Sequence, residues 1–156
     1  MISRLYARQV AALFVFAGIV FSAALSSGAP ARQAPAKAAP NLDYEVFKAR
    51  IEPIFLKDRP GHARCYSCHG SGNGPQYLVP LSTGSKTWTE EQSRQIFENV
   101  SKLVNGDDPM NSKLLLRPLS PLAGGDLTVE HSGGRQFETK DDPDWQAMAK
   151  WANGGK

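Results

Sequence analysis

Cys65-Tyr66-Ser67-Cys68-His69, followed by Gly70, decides how the rest of the chain is read. The two cysteines of the sequence stand three apart, with a histidine directly after the second. On a helical turn, residues three and four apart share a face, so both thiols and the His69 imidazole project from one side of one short segment. A disulfide here would close a tiny loop and restrain little of the unfolded chain. A thioredoxin-like redox pair needs a strand–helix–strand setting, and a structural zinc needs further ligands of the kind a second cysteine pair supplies. The sequence offers neither. The spacing does suit a flat macrocycle carrying two vinyl groups on one edge and an iron at its centre: each thiol adds across one vinyl group, and the adjacent imidazole reaches the metal. Cys-x-x-Cys-His therefore predicts one covalently attached haem c, with Cys65 and Cys68 as thioethers and His69 as an axial ligand of the iron. With two Cys and three His in 156 residues, chance gives this arrangement about once in four thousand.

Upstream of the motif the chain changes character twice. Arg4 and Arg8 precede an uncharged apolar run from Val10 to Leu25, and Ala29-Pro30-Ala31 follows as a small-residue cleavage site. This is the pattern of a secretory signal peptide over 1–31. The run falls short of the ~20 residues that span a bilayer comfortably, so cleavage is expected, and a membrane tether arises only if the segment stays uncleaved. Residues 32–40 are Ala/Pro-rich without apolar periodicity and are expected to form a semi-extended linker. The folded domain is expected over 41–156. Two of the 18 basic side chains lie in the first 31 residues, which hold no acid, leaving 16 against 15 in the remainder. That balance gives no clustered basic face for nucleic acid. With 14 Gly and 11 Pro, the domain should be a small helical globule rich in loops.

Helix signals flank the motif on both sides. Tyr44, Phe47, Ile51 and Ile54 recur at helical spacing over 41–55, with Asn41 or Asp43 as cap and Pro53 as the kink or stop. Ile96, Phe97, Val100, Leu103 and Val104 form the stripe of a helix over 89–104, with a capping box at Thr87–Glu90 or Thr89–Gln92. A shorter helix is expected over 109–117, with Pro109 in its first turn. The stretch 119–136 has no convincing element. A last helix is expected over 143–153, with Trp145, Met148 and Ala152 facing inward and Asp141, Asp142 and Asp144 as helix-start acids. No strand is persuasive, so the expected fold class is all-α.

The iron needs a second axial ligand, and four side chains beyond the signal segment are candidates: His62, Met110, His131 and Met148. His62 lies three residues before Cys65, on the attachment side of the ring. Met148 reads as core filler in the last helix. Met110 follows Pro109 at a loop-to-helix start and is the alternative. His131 is the favoured ligand, because it lies in the irregular segment before the last helix, beside Gly133-Gly134, where the backbone can approach a flat ring without Cβ obstruction. Two imidazoles would give a lower potential than a histidine–methionine pair.

From Asn41 onward, about 116 of the 156 residues, the chain resembles the class I-type monohaem cytochrome c domains of bacterial periplasmic proteins. The likeness rests on the haem motif and, more weakly, on Asp108-Pro109-Met110-Asn111-Ser112-Lys113-Leu114-Leu115, His131-Ser132-Gly133-Gly134, Asp142-Pro143-Asp144-Trp145 and Trp151-Ala152-Asn153-Gly154. It implies a small helical domain wrapped around one haem, the last helix crossing the first. It also implies a periplasmic electron carrier whose partners are redox proteins: a dehydrogenase, an oxidase or another cytochrome. Two other readings are a haem-bearing subunit of such a complex, and a haem enzyme or gas sensor with an open iron site. No Ser-His-Asp set, phosphate loop or paired carboxylates suggest a separate active site.

Overall fold

Asp43 starts the first helical stretch: its backbone is extended and its carboxylate accepts the Val46 N–H at 3.0 Å. The computed structural model describes residues 41–155 apart from Ser71 and Asn73; the signal and linker expectations for 1–40 lie outside those residues. Beyond Asp43 the chain runs as α1 (Tyr44–Val46), a π turn (Phe47–Ile51) and a 3-10 turn (Glu52–Leu56). Pro53 lies within a turn of the end of this stretch at Leu56. It has no N–H for the carbonyl four residues back, and the chain changes pitch around it. Glu52 N–H bonds five residues back to Phe47 O, and tighter turns follow.

This stretch carries the contacts that bind the first and last helices. Phe47 packs on Trp151 and Phe97 with ring centroids 5.3 and 5.4 Å away, and Phe97 meets Trp151 at 6.1 Å. Trp151 Nε1 donates to Asp43 O at 2.9 Å, so its buried polar end is satisfied. Such ring pairs are worth about 1 kcal/mol each beyond area burial.

Helix α2 (Cys65–His69) carries the motif. Helix α3 (Glu90–Ser101) opens on the second of the expected capping boxes: Thr89 Oγ1 accepts Gln92 N–H and Gln92 Oε1 accepts Thr89 N–H. Ile96 and Val100 face the core, and the helix ends before Leu103 and Val104. The single helix expected over 109–117 is instead a 3-10 turn (Pro109–Asn111) and α4 (Lys113–Leu116). The break is at buried Ser112, whose hydroxyl donates to Pro109 O and accepts Asn105 N–H. A side chain that satisfies backbone groups in this way competes with helix continuation. The segment 119–136 holds one 3-10 turn (Pro121–Ala123). Among the described residues there are isolated bridges and no strand, and the fold class is all-α.

Helix α5 (Pro143–Ala152) buries Trp145, Met148 and Ala152 as expected, and also Ala149 and Trp151. Asp142 caps it, accepting the N–H groups of Asp144 and Trp145. The acids at its start also form ion pairs: Arg59 bonds both Asp142 and Asp144 while lying 4.7 Å from the Phe137 ring centre, and Lys57 reaches Asp144 at 2.7 Å. The loop that leads into the motif is thereby tied to the last helix.

Partial burial raises the Asp142 pKa, but the Arg59 hydrogen bond and the two backbone N–H groups outweigh it and hold the carboxyl below its ordinary value. A folded value below the unfolded one, about 3.9, means the stabilisation is complete above that value and is lost as pH falls through the folded one. Asp142→Ala is expected to cost about 2 kcal/mol at neutral pH. Denaturant unfolding should show the gap from the parent narrowing as pH falls below about 3.9.

Candidate cofactor site

One helical turn sets out the three groups of the motif. Tyr66, between the cysteines, holds that turn to the core: its hydroxyl accepts Leu81 N–H at 3.0 Å and its ring meets Trp88 edge-on at 5.9 Å. Cys65 and Cys68 are both free thiols. Burial pushes the Cys65 thiol up to about 11, although Arg59 pulls the other way, so it keeps its proton at neutral pH and resists oxidation.

His69 Nδ1 lies 2.8 Å from Pro75 O, and His131 Nδ1 lies 2.6 Å from Gly134 O. A carbonyl only accepts, so each Nδ1 carries the proton and each Nε2 keeps a free lone pair. Hydrogen bonds of this kind orient a metal-ligating histidine and fix its tautomer. The two rings face one another with centroids 6.2 Å apart and planes inclined at 36°. With metal–nitrogen bonds of about 2.0 Å, imidazoles on opposite sides of one metal ion have centroids about 6.3 Å apart. Burial lowers the His131 pKa, the Gly134 carbonyl opposes this, and the neighbouring His69, Arg135 and Arg117 lower it further. The ring is therefore neutral near pH 7, the form in which histidine binds metals.

Both rings and both thiols line one cavity of about 230 Å³. Its walls are apolar, with Phe55, Leu78, Val100, Leu114, Phe137 and Met148 among them. The structure thus brings Cys65, Cys68, His69 and His131 together. Met148 is buried in the wall. Met110 is outside the cavity lining, 41% exposed, its sulfur accepting from Asn153 Nδ2 at 3.3 Å. His62 is also outside it, with Nδ1 buried and unpartnered among the described residues.

No sequence pattern marks the clasp that closes this site. Ala63 N–H donates to Gly133 O at 3.3 Å, and Gln136 Nε2 donates to Ala63 O at 2.9 Å and to Gly134 O at 3.5 Å. The segment entering the motif is thereby bonded to the segment carrying His131. Gly134 has φ +82°, and a Cβ there would stand 3.0 Å from His62 Nδ1, so only glycine fits both the backbone and the space. A Cβ on Gly133 would lie 3.7 Å from Cys68 Sγ, so the distal loop passes over the second thiol. Gln136 is 5% exposed. Gln136→Leu keeps its bulk but removes the donor to Ala63 O and Gly134 O, and an unfolding midpoint shift worth about 1 kcal/mol is expected.

No family model, no curated protein and no solved structure matches this chain.

Proposed function

We propose that this protein is an electron-transfer c-type cytochrome, with one haem attached through Cys65 and Cys68 and its iron held between His69 and His131. The observation that carries this reading is the pair of imidazoles 6.2 Å apart, each with Nδ1 on a backbone carbonyl, in an apolar cavity whose wall bears both thiols. The donor set fits an iron porphyrin. A porphyrin brings four nitrogens of its own and asks of the chain two thiols for attachment and imidazoles for the iron, which are the donors in this wall.

When bound, haem supplies a one-electron ferric/ferrous couple. The chain's part is to hold two ligands rigidly, so that little rearranges when the charge changes, and to keep water from the metal. Pro75 and Gly134 carbonyls orient the rings, while Phe55, Leu78, Val100 and Leu114 furnish the dry wall. With His69 and His131 both available to hold the iron, no open position would remain, which favours electron carriage over a peroxidase or gas sensor. The secretory pattern of 1–31 supports a periplasmic setting with redox proteins as partners, either as a free carrier or as a subunit of a dehydrogenase or oxidase. Among the described residues no helix is long and apolar enough to cross a membrane.

Oxidised and reduced absorption spectra of protein matured in a host competent for haem attachment test the proposal. A six-coordinate low-spin spectrum without the sulfur-to-iron band of a methionine ligand is expected. A colourless polypeptide would refute it.

A further inference from the structure

The cavity wall is mostly apolar, but three basic residues are part of it. Arg64, Lys113 and Arg117 line it, against a single carboxylate, that of Glu130. Arg135 is not part of the lining, and its guanidinium donates to the carbonyls of Arg117, Asp126 and Val129 at 2.5, 2.6 and 2.9 Å. Arg64 pairs with Asp58 at 3.2 Å. Asp126, the carboxylate that feels the charge of Arg117, has one oxygen taken by the N–H and hydroxyl of Thr128.

That leaves Lys113 and Arg117. Neither side chain has a hydrogen-bond or ion-pair partner among the described residues, and Arg117 Nε is buried without one. A donor nitrogen held away from water without an acceptor is costly, and a ligand that supplies the acceptor relieves that cost. The two residues are one turn apart: Arg117 is still helical at the end of α4, and its N–H bonds to Lys113 O. Side chains at this spacing share a face, their Cβ atoms about 5–6 Å apart. Arg135 fixes the backbone beneath them by holding Arg117 O.

Two free cations side by side on the rim of an apolar slot call for a flat apolar ligand carrying two neighbouring carboxylates. Haem is such a ligand, with two propionates on adjacent pyrroles. Resting on the haem reading above, we propose that Lys113 and Arg117 are the carboxylate-binding pair of this protein, receiving the two propionates. Arg117 suits bidentate capture of a carboxylate in the fork of its guanidinium, and Lys113, at an exposed position, supplies a point charge.

The test uses full-length protein matured with haem whose propionate carboxyl carbons carry a carbon-13 label. Intact mass after denaturation comes first: an unsubstituted protein without the porphyrin's mass overturns the haem reading, independently of this pair. With haem attached, reduced-minus-oxidised infrared difference spectra report the labelled carboxylates directly. Lys113→Gln and Arg117→Gln are each expected to shift the labelled bands and lower the midpoint potential, since losing a nearby positive charge favours the ferric state. Arg117→Lys should restore most of the potential. Because Lys113 is exposed, its substitution does not threaten folding, and it decides the matter if Arg117→Gln fails to mature. Labelled bands and a potential in Lys113→Gln that coincide with those of the unsubstituted protein would overturn the pair.

Discussion

Replacing His131 by alanine is expected to turn a low-spin six-coordinate spectrum into a high-spin one, and to let carbon monoxide bind the reduced protein. The His131 ring centroid lies 6.2 Å from that of His69, in a wall that is mostly apolar. If His131 holds the iron, removing it would open a coordination position that neither of the other candidates lines: Met110 lies outside the cavity, with its sulfur on Asn153, and His62 is outside the lining. The change should be complete at neutral pH rather than partial. Replacement by methionine, if its sulfur reaches the metal, should raise the midpoint potential, since a thioether favours the ferrous state more than imidazole does. A His131→Ala protein that keeps the parental low-spin spectrum and ignores carbon monoxide would remove His131 from the site.

The second large effect concerns the thiols. Cys65→Ser with Cys68→Ser should abolish covalent attachment outright, so that acid–organic extraction strips all haem and the denatured protein has the mass of the bare chain. Each single variant should retain one thioether and resist extraction. Serine nearly preserves the size of cysteine, and α2 is held by Tyr66 through its hydroxyl and ring contacts, so the loss would be chemical rather than structural. If the double variant keeps its haem through extraction, attachment through these residues is wrong.

Much of this arrangement is legible in the sequence because it is local. The Thr89–Gln92 capping box, the Asp142–Pro143 start of α5 and the inward positions of Trp145 and Met148 follow from spacing within a turn or two, and they appear as expected. The motif turn Cys65–His69 is of the same kind. His131 could be singled out as a candidate because few side chains can bind iron and Gly133-Gly134 follow it closely, and the structure places it on the same cavity as His69. The features that escaped are those in which distant backbone decides the outcome. Ser112 divides a helix because its hydroxyl serves Asn105 and Pro109, and no periodicity reports that. Arg59 looks like any loop arginine until it meets Asp142 and Asp144, more than eighty residues away. Gln136, which bonds Ala63 across the site, carries no local mark at all. Pro53 is legible as a kink or stop, but not the form it takes: the chain widens to a π turn before it and tightens to a 3-10 turn that ends at Leu56.

The opposition of residues 69 and 131 also bears on the unfolded chain. A ring sewn to the polypeptide at 65 and 68 and coordinated at 131 is a cross-link that encloses a loop of about 60 residues, comparable in entropy with a disulfide worth about 4 kcal/mol. Unlike a disulfide, it would open whenever one imidazole lets go. Stability and coordination would then be a single equilibrium, and any competitor for that ligand position, such as added cyanide or imidazole, would act as a mild denaturant of this fold.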